Sequence, residues 1–314
     1  MTYDVVIIGG GPAGLTSAIY AGRDRLKTIL IESFTVPGQA VVTSDIENYP
    51  GLPGAVSGFD LIEKFKKQAK EFGAEFKTDD VKSIKECVEN GKKAYIVKLL
   101  DGFVKAFSVI IASGARPKKL GIPGEEKFRG KGVSYCAVCD AAFFKNKNIT
   151  VIGGGNTAVE EALFLTKFAS SVTQIHRRER LRATKILQEK AFANKKIKFI
   201  WNSSLKEIAG GGKTERVVIK NTKTGKETTL ATEGVFVFVG YAPNTEFIKD
   251  FLNFDKNGYI ITDGEMKTSR EGVFACGDVR KKSLRQVVTA AGDGATAAYS
   301  ARLYIEELEG TSYK

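Results

Sequence analysis

Residues 5–32 and 149–176 align with one another without a gap. Val5-Val6-Ile7-Ile8-Gly9-Gly10-Gly11-Pro12-Ala13-Gly14 corresponds to Ile149-Thr150-Val151-Ile152-Gly153-Gly154-Gly155-Asn156-Thr157-Ala158. Each copy opens with a short apolar run, turns through three glycines, and continues with apolar residues at helical spacing: Leu15, Ala18 and Ile19 in one, Val159, Ala162 and Leu163 in the other. Each closes on a second strand-like run, Thr28–Ile31 and Val172–Ile175. A strand, a GxGxxG or GxGxxA turn and a helix form the dinucleotide-binding fingerprint. Gly9 and Gly153 permit the tight turn, Gly11 and Gly155 let backbone approach a pyrophosphate, and Gly14 and Ala158 let helix pack on strand. Pro12 and Ala13, like Asn156 and Thr157, begin the helix whose N-terminus favours that anion.

A second echo sets the architecture. Val109-Ile110-Ile111-Ala112-Ser113-Gly114-Ala115-Arg116-Pro117 resembles Val235-Phe236-Val237-Phe238-Val239-Gly240-Tyr241-Ala242-Pro243, each a buried-type strand ending in Gly-x-x-Pro. Proline cannot continue a sheet interior, so each marks a chain exit. The expected fold is α/β, with two Rossmann-like dinucleotide-binding domains. The first comprises 1–115 and 244–314, and the second, 118–241, is inserted into it. A chain of 314 residues is long enough for two cores. Lys77–Asp101, rich in Val, Ile and Tyr around Asn90-Gly91, suggests hairpin strands in the first domain.

The residue ending the second strand of each copy discriminates between nucleotides. A carboxylate there bonds a ribose 2′-hydroxyl, whereas cations accept a 2′-phosphate. The equivalent positions are Glu32 and His176, the latter followed by Arg177, Arg178 and Arg182. The first site therefore suits FAD or NAD and the second NADPH. Two charge-assisted hydrogen bonds of about 1.5–3 kcal/mol each would favour NADPH over NADH roughly a hundredfold.

The net charge of +12 raises the question of nucleic acid. Lysines are spread along the chain among acids, and no segment forms a basic face apart from the cofactor corner, so no nucleic-acid partner is expected. No apolar run approaches a membrane span, and the chain enters its first strand without a leader pattern; a cytoplasmic protein with no membrane association is expected. Of four cysteines, only Cys136 and Cys139 form a Cys-x-x-Cys, which in the cytosol is redox-active or metal-binding. Zinc needs four ligands. Cys87, Cys276 and His176, the remaining candidates, are dispersed, so no metal is expected. Cys87 suits a small core position and Cys276 a place under a cofactor-binding turn. Asp140, adjoining the pair, is the candidate for handling its proton, and a helix-capping role could hold at the same time.

Cys136-Ala137-Val138-Cys139-Asp140 just ahead of the second glycine turn resembles the low-molecular-weight thioredoxin reductases of bacteria and archaea. The resemblance spans nearly the whole chain, through Asp45–Gly51, Ser113–Pro117, His176–Arg178 and Thr268–Asp278. It implies a homodimer in which the first domain binds FAD and the second NADPH, and reduction of a thioredoxin or thioredoxin-like disulfide. An enzyme of the same architecture serving a glutaredoxin-like or peroxiredoxin-system partner is the alternative. By the same resemblance, Gly277 and Asp278 hold the flavin's ribitol or pyrophosphate region and Arg285-Gln286-Val287 opens a helix beside its ring. Gln39, Asn48 and Gly114 join that site; Pro37, before Gly38, departs from the usual Gly-Gly. Cys139 would face the flavin and Cys136 would attack the partner. The inserted domain would rotate about crossings near Ala115–Lys119 and Gly240–Thr245.

Overall fold

An apolar run is the signature of a strand covered on both faces, and both copies of the repeat place such a run, broken in the second only by Thr150, between two parallel neighbours. The computed structural model describes residues 1–34, 38–43, 46–54 and 56–312. Pro37 and Asp45 therefore lie outside the described residues. The chain divides into two compact units, Met1–Arg116 with Ala242–Lys314, and Pro117–Tyr241.

Its first stretch runs β1 (Thr2–Ile8), α1 (Pro12–Arg23), β2 (Thr28–Glu32), α2 (Gly58–Glu71), β3 (Glu75–Thr78), β4 (Val81–Glu89), β5 (Lys92–Leu99), β6 (Phe103–Ile111) and β7 (Ala115–Pro117). The middle stretch runs β8 (Val133–Ser134), α3 (Ala137–Asp140), β9 (Asn148–Ile152), α4 (Asn156–Leu165), β10 (Ser171–Ile175), α5 (Lys185–Ala193), β11 (Ile197–Ile200), β12 (Ser203–Ala209), β13 (Arg216–Asn221), β14 (Glu227–Ala231) and β15 (Gly234–Val237). The last holds β16 (Tyr241–Pro243), β17 (Val273–Ala275) and α6 (Val287–Glu309).

The first unit's sheet has the order β3-β2-β1-β6-β5-β4, with β17 also paired to β6. The second unit's main sheet has the order β11-β10-β9-β15-β8, and β12-β13-β14 form a separate antiparallel sheet. The sequence repeat is thus a repeat of topology. β1 lies parallel between β2 and β6, and β9 lies parallel between β10 and β15. The two Gly-x-x-Pro segments pair with each other as β7 and β16. The 77–101 segment forms the β4–β5 hairpin, turning at Asn90 and Gly91, both at positive φ.

In the first unit, α1 is buried almost all round because β1, α2 and α6 all pack on it. Gly294 of α6 makes the closest approach. A Cβ there would fall 2.2 Å from the Ala13 carbonyl oxygen, and the Ser17 hydroxyl lies 2.9 Å from Gly294 O. Cys276 is fully buried beside Ser17, 3.7 Å away, and burial pushes its thiol up to about 12. Cys87 departs from expectation: it is half-buried on β4, the edge strand, opposite Ala94, because only one face of that strand is covered.

Gly292 and Gly294, two residues apart on α6, separate propensity from packing. Gly294→Ala is expected to destabilise the protein by about 1–3 kcal/mol through overpacking. Gly292→Ala, whose Cβ would meet nothing within 4 Å, is expected to stabilise it by up to about 1 kcal/mol through helix propensity. Thermal unfolding of the two variants, read as opposite shifts in Tm, checks this.

Candidate active site

The two glycine turns are built alike. Gly9 has φ +115 and a Cβ there would meet Ala112 O at 2.3 Å; Gly153 has φ +142 and would meet Phe238 O at 2.2 Å. Both positions therefore demand glycine twice over, by dihedral and by space. A Cβ on Gly14 would fall 1.9 Å from Gly9 O, which is why helix and strand close only without it. At Gly11 and Gly155 a Cβ would meet nothing within 4 Å. These residues start α1 and α4 with nearly equal dihedrals (φ −82, ψ −176 and φ −91, ψ −178), and neither helix has a side-chain cap. Two helix N-termini thus face open space with their first-turn N–H groups unclaimed by side chains, as an incoming pyrophosphate requires.

The two residues expected to discriminate between nucleotides, Glu32 and His176, occupy matching places. A Cβ on Gly10 would meet Glu32 Oε1 at 2.6 Å, and one on Gly154 would meet His176 Nδ1 at 2.5 Å. Glu32 Oε2 is held by Lys66 Nζ from α2 at 2.7 Å, which leaves Oε1 over the turn. His176 is 5% exposed, with Nε2 buried and unpartnered. Burial first, and then Arg182, Arg178 and Arg177, lower its pKa, so it is neutral at pH 7. Those arginines are exposed on an irregular segment ahead of α5, and Arg182 N donates to Gly154 O at 2.7 Å. Asn156 Oδ1 accepts from Thr184 N at 2.9 Å and so pins this segment to the start of α4; Thr157 follows it in the first turn.

A third cluster lies at the other end of the first unit's sequence. Gly277 has φ +74, and a Cβ on it would fall 2.8 Å from that of Ala13, so the Gly277–Val279 turn abuts the start of α1. Asp278 Oδ1 and Arg285 Nε are buried without partners. Burial raises the Asp278 carboxyl against the opposing pull of Lys282 and Arg285. The Arg285 guanidinium lies 4.1 Å over the Tyr259 ring. Gln286 caps α6, which begins at Val287, through a capping box with Thr289, and its Oε1 accepts from Asn48 Nδ2 at 3.1 Å. Asn48 and Gln286, 238 residues apart, are thereby brought together. Gly114 (φ +65) is open above, with its carbonyl accepting from Asn244 N. Gln39 is half-buried in a turn, with Thr43 Oγ1 donating to its carbonyl. Orphaned polar atoms, uncapped helix starts and open glycines together fit two bound dinucleotides.

Cys136 and Cys139 are joined as a disulfide, with Cα atoms 5.4 Å apart. Cys136 caps α3, its Sγ accepting from Cys139 N at 3.2 Å, whereas Asp140 stands at the N-cap position of the short 3-10 helix Ala141–Phe144 that follows and makes no side-chain cap bond there. The pair is placed by packing, with Ala137 and Ala141 buried against Val159 and Ala162 of α4. Sequence reasoning passed over Glu161 on α4. Burial, then Glu160, raise its carboxyl to about 7, and its Oε2 is buried without a partner. Its only signal in the sequence was a second acid in a helix that is otherwise apolar. It passed over the charge distribution as well. Residues 117–241 hold 23 Lys and Arg against 11 Asp and Glu, a balance of +12, while the remainder holds 25 against 25. Among the described residues no cluster of His, Cys, Asp and Glu could hold a metal, and no helix is long and apolar enough to cross a membrane.

Known proteins carry the same arrangement. The pyridine nucleotide-disulphide oxidoreductase profile matches residues 3–294. The thioredoxin reductase of Peptoclostridium litorale is 51% identical over 312 residues, covering 98% of each chain. That of Bacillus subtilis is 49% identical over 310 residues, 98% of this chain and 96% of its own. The crystal structure of Lactococcus lactis thioredoxin reductase superposes with a TM-score of 0.93 at 48% identity, over 97% of this chain and 99% of that one. Thioredoxin reductase from T. acidophilum gives 0.91 at 34%, over 98% and 99%. The chain belongs to the pyridine nucleotide-disulphide oxidoreductase family, among its thioredoxin reductases.

Proposed function

We propose that this protein is an NADPH-dependent thioredoxin reductase, with FAD held by the first unit and NADPH by the second. The observation that carries the reading is the Cys136–Cys139 disulfide, set at a helix start in the unit whose glycine turn is flanked by exposed arginines. When bound, nicotinamide and flavin supply the two-electron chemistry that a dithiol cannot begin alone. In the first unit, Gly11 and the start of α1 receive a pyrophosphate, Glu32 Oε1 accepts a ribose hydroxyl, and Asp278 and the start of α6 serve the flavin end. In the second, Gly155 and α4 receive the other pyrophosphate. Arg177, Arg178 and Arg182 supply the positive charge for a 2′-phosphate, and the neutral His176 ring shapes the floor beneath it.

Two electrons and two protons convert the disulfide to two thiols. Cys136 attacks a partner's disulfide to form a mixed disulfide; Cys139 then attacks Cys136 Sγ, which restores the internal bond and releases the partner as a dithiol. Residue exposure alone would select Cys139 as the attacking group, since Cys136 is half-buried. The N–H of Cys139 pointing at Cys136 Sγ favours the other assignment, because a donor at a helix start stabilises an ionised sulfur. Asp140, next to the pair, and Glu161, whose buried carboxyl is raised to about 7, are the carboxyls proposed to take up and return protons. The crossings β7 and β16 are the proposed hinge that lets the dithiol serve two partners in turn. The charge of the second unit suits an acidic protein partner as well as a phosphate.

Three outcomes are expected. Cys139→Ser should trap a mixed disulfide with thioredoxin through Cys136, abolish turnover, and leave NADPH still able to bleach the yellow protein. Trapping by Cys136→Ser instead would reverse the assignment, and a colourless folded protein would remove the flavin reading. Replacing Arg177 and Arg178 by Gln should raise KM for NADPH about tenfold or more and leave that for NADH within about twofold; equal effects on both would refute the phosphate role. Raising salt from about 20 mM to about 300 mM should lower kcat/KM for thioredoxin several-fold, and much less for a small neutral disulfide. A matched response would show that the charge does not steer the partner.

A further inference from the structure

The turn that carries Asp278 is held by a side chain from outside it. Asp293 lies two turns into α6, and its carboxylate accepts three donors from that turn and the segment following it. These are Gly277 N at 3.1 Å, the Arg280 guanidinium at 3.1 Å and the Lys282 ammonium at 2.7 Å. The side chains of Arg280, Lys282 and Asp293 are 13%, 9% and 13% exposed. Pairs this well covered keep strength that surface pairs lose to solvent, and leaving one partner buried and alone is costly. Arg280 is tied down further, with Nε donating to Thr262 Oγ1 at 2.8 Å.

Asp278 has the opposite character. It is a mostly buried carboxyl whose Oδ1 has no partner, although Lys282 and Arg285 both act on it electrostatically. A carboxylate beside two cations ordinarily recruits one. Here Lys282 is engaged by Asp293 and Arg285 is turned onto the Tyr259 ring. In this corner, Lys282 bonds Asp293 while Asp278 Oδ1 is left without a partner.

We propose that Asp293 is a positioning residue for the flavin site: it fixes the Gly277–Asp278 turn and withholds Lys282 from Asp278, so that Asp278 stays available to accept a hydrogen bond from the cofactor. The inference rests on the reading of Asp278 as a flavin contact, and its test separates the two. Flavin release from the holoprotein, followed by free-flavin fluorescence on serial dilution, gives the dissociation constant, and far-ultraviolet circular dichroism confirms the fold.

Asp278→Asn should weaken flavin binding about tenfold; no change would remove the reading of Asp278 and this inference with it. With that effect in hand, Asp293→Asn should weaken binding to a similar degree, because the freed Lys282 turns to Asp278. The double variant Asp293→Asn with Lys282→Gln should recover affinity to within about threefold of the unaltered protein. A purely structural clamp would not be rescued by removing a lysine, so weak binding in the double variant, or full binding in Asp293→Asn, overturns the proposal. Should Asp293→Asn not fold, Lys282→Gln alone decides. Unchanged affinity is expected, and a loss equal to that of Asp278→Asn would show that Lys282 itself holds the flavin.

Discussion

The rest of this structure depends on one close approach, repeated: a glycine at the end of a central strand whose missing side chain lets the neighbouring strand's exit and the following helix touch it. At Gly9 the obstacle is Ala112 O, and at Gly153 it is Phe238 O, each barely over 2 Å from where a Cβ would sit. Any larger residue would lift the helix from the sheet and turn its first N–H groups away from the strand ends. The order of the sheets, with β1 between β2 and β6 and β9 between β10 and β15, puts each such contact at a topological switch point, where α/β folds leave a crevice. Crevices of this kind outside the carboxyl ends of parallel strands are where dinucleotides bind.

On the proposed reading, one backbone serves two nucleotides because the discriminating side chain stands at the end of the second strand and faces the turn rather than belonging to it. Gly10 and Gly154 face Glu32 and His176 at the same range. In the first unit a lysine from α2 holds one carboxylate oxygen and leaves the other over the turn. In the second, the ring is buried and uncharged, and the positive charge comes from the exposed loop beyond it. On that reading, exchanging a carboxylate for a neutral ring and three arginines would change the ligand preference without touching the scaffold.

The parts legible in the sequence were those determined by local chemistry. The glycine turns, the strand ends marked by Gly-x-x-Pro and the hairpin at Asn90-Gly91 each rest on a backbone requirement that a short run of residues reveals. What the sequence concealed was long-range. The Asn48–Gln286 hydrogen bond joins residues 238 apart, and the Asp293 network joins a helix to the turn before it; neither has a periodic signature. The cap of α3 falls to Cys136 because α3 begins one residue after the first cysteine, a boundary too short for helical spacing to define, and Asp140 reaches an N-cap position only in the 3-10 turn beyond it. Cys87 looked like a core residue because strand alternation shows which face points inward, not whether an edge strand's face is fully covered. Lysines that looked scattered along the chain resolve into a neutral unit and a strongly basic one only when the unit boundaries are known.

That division of charge bears on why the dithiol lies in the second unit. A disulfide on the neutral unit would stay beside the flavin, but it would have to meet a protein partner without electrostatic help. On the basic unit, the charge proposed to favour a 2′-phosphate would also raise the encounter rate of an acidic partner, since both are anions approaching the same body. The cost is that the dithiol belongs to one unit and the proposed flavin site to the other. Its short helix must then be rigid on its own unit, which the packing of Ala137 and Ala141 on α4 provides. The proposed hinge would then fall at the two crossings, where β7 and β16 pair as a narrow ribbon and Arg116 is clasped by Asn244 and Glu246.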